Sequence, residues 1–408
     1  MNCRHCGSTL HLTFLDLGSA PPSNAYLTSD TLSLPEKWFP LRVMVCEQCW
    51  LVQTEDFSRA DALFDDDYAY FSSFSDTWLE HARLYVRSMI ARFCLGPHSK
   101  VVEVAANDGY LLQYMQEAGI PCLGIEPTLS TAKSARKKGL TIIEEFFGQQ
   151  LAQTLAADGQ SADLMVANNV LAHVPDINDF VAGFTLLLKP QGVATFEFPH
   201  LLRLVQENQF DTVYHEHYSY LSLLSVKAIL ASKGLCVFDV EKHPTHGGSL
   251  RVYVQRTEYG KQMCTHRVEE LLAEEKSAGM KDAAFYAGLQ GRAEQAKNDL
   301  LYFLLEAKRD GLAVAAYGAA AKGNTLLNFA GVRSDLLNYV VDRNPEKQGK
   351  YMPGSHIPIV DEAHLRRNQP DRVLILPWNL SEEISKQLEY IKEWGARFVT
   401  AIPQLEVY

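Results

Sequence analysis

Glu103-Val104-Ala105-Ala106-Asn107-Asp108-Gly109 decides the fold of this chain. The apolar run Val101–Ala105 reads as a buried strand, the small and polar residues after it as a tight turn, and Tyr110–Met115 as the start of a helix. A strand, a small-residue turn and a helix N-terminus form the cradle used by adenosine and dinucleotide ligands. The next apolar run ends in Gly124-Ile125-Glu126-Pro127, which places Glu126 to accept hydrogen bonds from ribose hydroxyls. A dinucleotide turn wants the spacing G-x-G-x-x-G, and here only Gly109 is a glycine. Ala105 and Asn107 obstruct the close backbone approach that a pyrophosphate needs. S-adenosylmethionine has no phosphate and tolerates the poorer turn. Glu103 at the strand end also suits a zwitterionic ligand that bears a sulfonium. The turn therefore reads as a methyl-donor site.

Around it the same alternation continues. Pro121–Ile125, Leu140–Ile143, Asp163–Ala167, Gly192–Phe198, Leu235–Val240 and Leu250–Gln255 are short apolar runs, most of them separated by helical segments, and Trp78–Phe93 is amphipathic at helical period. Strands alternating with helices predict a parallel sheet with crossover helices, here of seven strands. The last two strands lack a long helix between them and predict an antiparallel edge hairpin. Residues 259–310 are rich in helix formers and read as one or two bridging helices. A second α/β unit follows at 311–408, with strands at Leu312–Tyr317, Leu337–Val341, Arg372–Leu376 and Arg397–Ile402, a helix after Gly323 and another near Ser381–Trp394. The chain is thus read as α/β, with an N-terminal module at 1–68, a Rossmann-like domain at 69–258, the bridging helices, and a second Rossmann-like domain.

The N-terminal module carries Cys3/Cys6 and Cys46/Cys49, two pairs at Cys-x-x-Cys spacing. Two thiolates on a tight knuckle take adjacent vertices of a zinc tetrahedron, and two knuckles complete it. Four protein ligands leave no open vertex, so the site reads as structural. Short strands are expected at Leu12–Leu17 and Leu41–Val45, joined through a loop containing Pro21-Pro22-Ser23-Asn24.

At 408 residues the chain is too long for one ordinary core, and 47% hydrophobic with 21% charged residues describes a globular protein. The net charge of −11 and the lack of a basic run argue against nucleic acid as a partner. An anionic substrate would have to find its cations locally. No stretch approaches the about 18 uninterrupted apolar residues of a membrane span. The cysteine usage points to a reducing compartment, the cytoplasm.

Four further stretches carry chemistry. Asn168 and Asn169 end the fourth strand and His173 follows, which puts all three in the crevice beyond the sheet; a lone histidine beside apolar residues is equally a structural one. Tyr214-His215-Glu216-His217-Tyr218-Ser219-Tyr220 is a run of seven residues able to donate, accept or relay a proton. It is no H-E-x-x-H zinc helix, because position 219 is Ser. General acid–base work with His217 as base is its leading reading, with metal chelation by His215 and His217 or plain aromatic packing as the alternatives. His246-Gly247-Gly248-Ser249-Leu250-Arg251 allows close backbone approach, and Arg251 either binds an anion or pairs internally. Gly318-Ala319-Ala320-Ala321-Lys322-Gly323-Asn324 fails the Walker A pattern but still offers a lysine and free N–H groups at a helix start. Lys347, within Asp342–Gly349, adds a cation on the same edge.

Taken in order, these motifs resemble the sugar C-methyltransferases of deoxysugar pathways, which methylate C3 of a nucleotide-linked 4-keto sugar. The resemblance spans essentially the whole chain and also takes in Tyr70 and Ser72-Ser73; Tyr214-x-Glu216-His217 is its most telling element. Ala105 stands where relatives often carry Gly or Ser. The resemblance implies a zinc module ligated by Cys3, Cys6, Cys46 and Cys49. It implies a class I methyltransferase domain that binds S-adenosylmethionine through Glu103, Ala105, Asn107, Asp108, Gly109, Glu126, Pro127, Asn168 and Asn169. It also implies a C-terminal domain that helps hold the nucleotide sugar. His217 would remove the C3 proton, with Tyr214, Glu216 and His173 nearby. Tyr68, Tyr70, Ser72, Ser73, His246, Arg251, Gly318, Lys322, Gly323, Asn324 and Lys347 are the expected substrate contacts. An O- or N-methyltransferase acting on another small anion, and a zinc-bearing binding protein, are the competing readings.

Overall fold

The structure is a computed structural model and describes residues 1–55, 57 and 71–408. The expected contacts Tyr68 and Tyr70 lie outside those residues. Strands β1 (Leu12–Ala20), β2 (Phe39–Val45) and β3 (Val52–Thr54) form the antiparallel sheet of the N-terminal module.

The middle domain contributes β4 (Val101–Val104), β5 (Cys122–Ile125), β6 (Ile142–Ile143), β7 (Ala162–Asn168), β8 (Leu188–Pro199), β9 (Ser219–Tyr220), β10 (Leu235–His243) and β11 (Ser249–Arg256). Its seven-stranded sheet runs β10-β11-β8-β7-β4-β5-β6. All four residues of β4 are buried, as a central strand covered on both faces requires. The helix Asp76–Phe93 starts on Ser75, whose hydroxyl accepts from the Trp78 N–H at 3.3 Å. It lays Trp78, Ala82, Tyr85, Val86 and Met89 on the sheet. The expected edge hairpin exists as an antiparallel pair, but β11 is inserted between β8 and β10, so only β10 is an edge. Strand β9 leaves this sheet altogether and pairs with β3, Val52 opposite Tyr220, so the two domains share one sheet.

The bridging region forms His266–Ser277, a single turn at Ala283–Tyr286 and Leu289–Arg309. The last of these is about 31 Å long and buries Leu289, Ala293, Ala296, Leu300, Leu304 and Ala307 in a core shared with β1 and the C-terminal domain. That domain holds β12 (Val314–Tyr317), β13 (Val340–Val341), β14 (Ile359–Val360), β15 (Arg372–Ile375), β16 (Arg397–Thr400) and β17 (Glu406–Val407). Their order is β14-β13-β12-β15-β16-β17, parallel except for β17.

Both parallel sheets reverse their strand order at one point, between β4 and β7 in the middle domain and between β12 and β15 in the C-terminal one. Ligands bind beyond the carboxyl ends of strands at such switch points. Here one cleft touches both, reaching Ala105 and Asn168 on one side and Ala320–Lys322 on the other.

Gly109 closes the first turn at φ +76°, and a Cβ there would stand 2.2 Å from Leu140 Cδ1 and 3.3 Å from Ala135 Cβ. Gly109→Ala is predicted to cost about 2–4 kcal/mol, from the left-handed backbone and the overpacking together. Chemical denaturation checks this, and a variant as stable as the wild type would contradict it.

Candidate active site

The donor end of the cleft is built from the turn after β4. Ala105, Asn107 and Gly109 have φ of +59°, +49° and +76°, so alternate residues take the left-handed conformation. Asn tolerates it, whereas Ala holds it at a cost of about 1–2 kcal/mol. Glu126 braces the turn from the next strand: Oε2 accepts from the Asn107 N–H at 2.9 Å and Oε1 from the Thr128 N–H at 3.0 Å. Burial pushes the Glu126 carboxyl up, against those hydrogen bonds. Glu126 and Pro127 line the cleft, and so do Asn168 and Asn169. The Oδ1 atoms of both asparagines are buried without a protein partner. Such orphaned acceptors, beside an acidic strand end and a strained small-residue turn, fit a donor rich in ammonium and hydroxyl groups.

Glu103 lies fully buried beneath the turn instead of in the cleft. Burial raises its carboxyl well above the usual range, opposed by a hydrogen bond from Tyr110. Asp108 is likewise buried, 3.5 Å from Lys138 Nζ. Lys138 also donates to Ser73 Oγ at 2.9 Å, while Asn107 Oδ1 accepts from the Ser72 N–H at 2.9 Å. Of the two serines, Ser72 reaches the cleft. Glu145, Phe146 and Phe147, just beyond β6, also wall the donor end, and sequence reasoning missed them. Their position after a parallel strand end was the available signal.

At the other end, the His217 N–H is the acceptor-side turn's closing donor, to Tyr214 O at 3.0 Å. His217 Nδ1 sits 2.9 Å from the Thr212 carbonyl, which can only accept, so the ring carries its proton there. Nε2 therefore bears the lone pair and accepts from the Tyr214 hydroxyl at 2.8 Å. His173 donates from Nδ1 to the Glu216 carbonyl at 2.8 Å, and its ring lies 4.6 Å from that of His217. Burial, then the neighbouring His173, His246 and Lys322, holds His217 well below the ordinary histidine range. Burial brings His173 down to about 4, and burial with Lys322 brings His246 to about 4. Three neutral imidazoles thus share one cleft.

Lys322 and Lys347 are the cations of this end. Lys322 Nζ donates to Asn379 Oδ1 at 2.6 Å and lies 4.4 Å over the Trp378 ring. Lys347 Nζ donates to the Ala319 carbonyl at 2.8 Å. His246 packs edge-on against Trp78, at 5.0 Å between ring centres.

Several expected contacts do not reach the cleft. Arg251 is buried with Nε and Nη2 on Glu197 Oε2, at 3.0 and 2.6 Å, so it pairs internally. Burial alone would raise Glu197, but His81 and Arg251 outweigh it and hold that carboxyl down to about 2. Glu216 is buried behind the cleft, with Oε1 3.2 Å from both the backbone N and Nδ2 of Asn24. Gly318 packs on Pro377 and Gly323 on Leu376. Asn324 is turned inward and donates to the Ser23 carbonyl at 2.6 Å. These three shape the loop that presents Lys322. His215 donates to, and is spent on, the Pro40 carbonyl at 3.1 Å, away from any metal partner among the described residues.

The four module cysteines bring their sulfurs within 4.8 Å of one another, with Cys3–Cys49 and Cys6–Cys46 at 3.5 Å. A zinc tetrahedron with Zn–S bonds of about 2.3 Å has edges of about 3.8 Å, so the donor set fits the metal. Both knuckles close alike, the Gly7 N–H on the Cys3 carbonyl and the Trp50 N–H on the Cys46 carbonyl, with Gly7 and Trp50 at φ +75° and +60°. Gln53 Nε2 donates to Cys3 Sγ at 3.3 Å, an outer contact that favours a thiolate.

A donor cleft at the switch point of a Rossmann-like sheet, on a chain that also carries a four-cysteine zinc site, is the arrangement of an S-adenosylmethionine-dependent methyltransferase, and the family matches place the chain in that class. Family models match consecutive parts of the chain: a zinc binding domain at residues 3–64, a methyltransferase domain at 78–240 and a C-methyltransferase C-terminal domain at 244–403. C-methyltransferase NovU of Streptomyces niveus is 33% identical over 405 residues, which cover 99% of this chain and 96% of that protein. The chain belongs to this C-methyltransferase family. The ubiquinone biosynthesis O-methyltransferase of Methylococcus capsulatus is 35% identical over 103 residues, 24% of this chain and 42% of that one. Among solved structures, magnesium protoporphyrin IX methyltransferase from Synechocystis with bound S-adenosylhomocysteine aligns over 44% of this chain and 83% of its own, at a TM-score of 0.36 and 17% identity.

Cys46→Ser is predicted to abolish zinc retention and lower the Tm, read by elemental analysis and a thermal melt; a variant with unchanged zinc content would remove Cys46 from the site. His246 has an unfolded value of 6.5 against about 4 in the fold. Its contribution to stability is whole above pH 6.5 and is lost as pH falls towards 4, because only the unfolded chain takes up the proton. Asn accepts the left-handed backbone of His246, φ +57°. Between pH 7.5 and 5, His246→Asn should therefore gain on the wild type by on the order of 1–2 kcal/mol. Parallel stability curves at the two pH values would contradict the assignment.

Proposed function

We propose that this enzyme methylates C3 of a nucleotide-linked 4-keto deoxysugar, with His217 as the base. One observation carries the reading: the His217 ring is locked by Thr212, so its lone pair on Nε2 is held at the Tyr214 hydroxyl inside the cleft. A ketone at C4 acidifies the C3–H bond, and a neutral imidazole can then accept the proton if the enolate oxygen is stabilised. Burial keeps His217 neutral and ready at physiological pH. As C3–H takes the place of the hydroxyl at Nε2, Tyr214 is freed to donate to the enolate oxygen, and His173 stands beside it. Bound S-adenosylmethionine supplies an electrophilic methyl group and a neutral thioether as leaving group. The proton that His217 takes from C3 leaves to water. The chain's own part is positioning and exclusion of water.

Lys322 and Lys347 support an anionic handle on the acceptor. Lys322 donates to a neutral amide oxygen and Lys347 to a carbonyl, with Asp342 Oδ2 4.0 Å from Lys347 Nζ; a diphosphate would give both stronger charge-assisted partners. One cleft of about 900 Å³ is lined both by Glu126 and by these lysines, which supports donor and acceptor sharing it. None of the eight cysteines is in a disulfide, and four of them are placed for zinc, which supports residence in a reducing cytoplasm.

His217→Ala should lower kcat about 10²–10⁴-fold while the donor Kd is unchanged. In D2O without donor, the wild type should exchange the C3 proton of a 4-keto nucleotide sugar and the variant should not. Exchange that survives in His217→Ala would assign the base elsewhere, and no exchange in the wild type would favour O- or N-methylation.

A further inference from the structure

The proline-containing loop of the zinc module has no role in the reaction as described so far, yet it enters the cleft. Asn24 lines it, beside Tyr214 and His217. The loop is pinned to the C-terminal domain on both sides of Asn24. Asn324 Nδ2 donates to the Ser23 carbonyl at 2.6 Å, the Tyr26 hydroxyl to the Ala319 carbonyl at 2.6 Å, and Leu27 forms a two-way bridge with Tyr351 at 3.0 and 2.8 Å. From that fixed loop Asn24 presents its backbone N–H and its side-chain amide to a single atom, Glu216 Oε1, at 3.2 Å each.

Glu216 is 1% exposed. No cation pairs with it among the described residues, and an uncompensated buried carboxylate is expensive to keep in place. Burial raises its carboxyl, and the neutral donors around it, two of them from Asn24, act the other way. The main chain of the same residue does a second job, because the Glu216 carbonyl receives the His173 Nδ1–H. Holding the Glu216 side chain therefore holds the carbonyl that orients His173, and His173 faces His217.

We infer that Asn24 is a positioning residue for the reaction: through Glu216 it sets the ring of His173 against His217, so the zinc module takes part in catalysis through this one loop. The inference rests on the proposed chemistry at His217, but its first test does not. In Asn24→Asp two carboxylates meet where an amide met a carboxylate. The double variant Asn24→Asp/Glu216→Gln restores an amide–carboxylate pair with the partners exchanged.

The experiment combines nitrogen NMR of histidine-labelled full-length protein with kinetics. Without any acceptor, the hydrogen-bonded Nδ1–H signal of His173 should be present in the wild type, shifted or lost in Asn24→Asp, and recovered in the double variant. With a 4-keto nucleotide sugar, Asn24→Asp should lower kcat about 100-fold, the effect of misplacing a group by an ångström, while the donor Kd stays within about twofold and zinc content is unchanged; the double variant should recover most of it. Should the double variant not fold, Asn24→Ala serves instead, with about a tenfold loss in kcat at an unchanged Tm. A His173 signal that ignores Asn24→Asp overturns the inference whichever acceptor the enzyme uses. A folded double variant that recovers the signal but not kcat also overturns it, since the charge at 216 and not its placement would then matter. A wild type that turns over no 4-keto sugar bears on the proposed reaction alone.

Discussion

The segment Phe210–Tyr220 is held from three sides, and the arrangement of the whole molecule depends on that clamp. The C-terminal domain grips its start: the Trp378 indole donates to Asp211 Oδ2 and the Thr325 hydroxyl to the Val213 carbonyl, each at 2.8 Å. The zinc module grips its end, through the Thr54 hydroxyl on the His217 carbonyl at 3.2 Å and the pairing of β3 with β9. The middle domain supplies the segment itself and the His173 contact. A loop carrying a general base is usually a mobile part of an enzyme. Here each turn of the segment is tied to a different domain, so His217 is held in place only when all three are assembled.

That clamp explains why a small zinc site belongs in a methyltransferase. The module is too small to build much core of its own, and its Cys46 and Leu10 pack into the middle domain while Phe14 and Leu17 pack with the C-terminal one. The metal fixes the knuckles, the knuckles fix the sheet, and the sheet receives β9. Electrostatics follow the same plan. An acidic chain concentrates Lys322 and Lys347 at one end of the cleft, and burial keeps His173, His217 and His246 neutral between those cations and the donor turn.

Strong local patterns were legible in the sequence. The β4 turn, the two Cys-x-x-Cys knuckles and the alternation of strands and helices announce donor site, metal and both sheets, because each is a short-range physical requirement. Long-range pairing was not legible. Strand β9 is two residues long and has a partner far away in the chain, so no periodicity marks it. Arg251 looked equally able to bind an anion, but the register of β11 against β8 sets it directly opposite Glu197, and a cross-strand ion pair claims it. Glu216 was expected beside His217 at the reacting centre, but it is buried behind the cleft and meets Asn24, a loop residue that no local rule highlights.

Methylation at C3 of a 4-keto sugar forms a carbon–carbon bond next to a ketone, and that bond is directly observable. Incubating the enzyme with S-adenosylmethionine labelled with carbon-13 in its methyl group and a 4-keto nucleotide sugar, then recording carbon–proton correlation spectra of the product, tests it most directly. The expected product carries a labelled methyl group correlated with C2, C3 and C4 of the sugar and bonded to C3. A labelled methyl on oxygen or nitrogen, or on any other carbon, would contradict it.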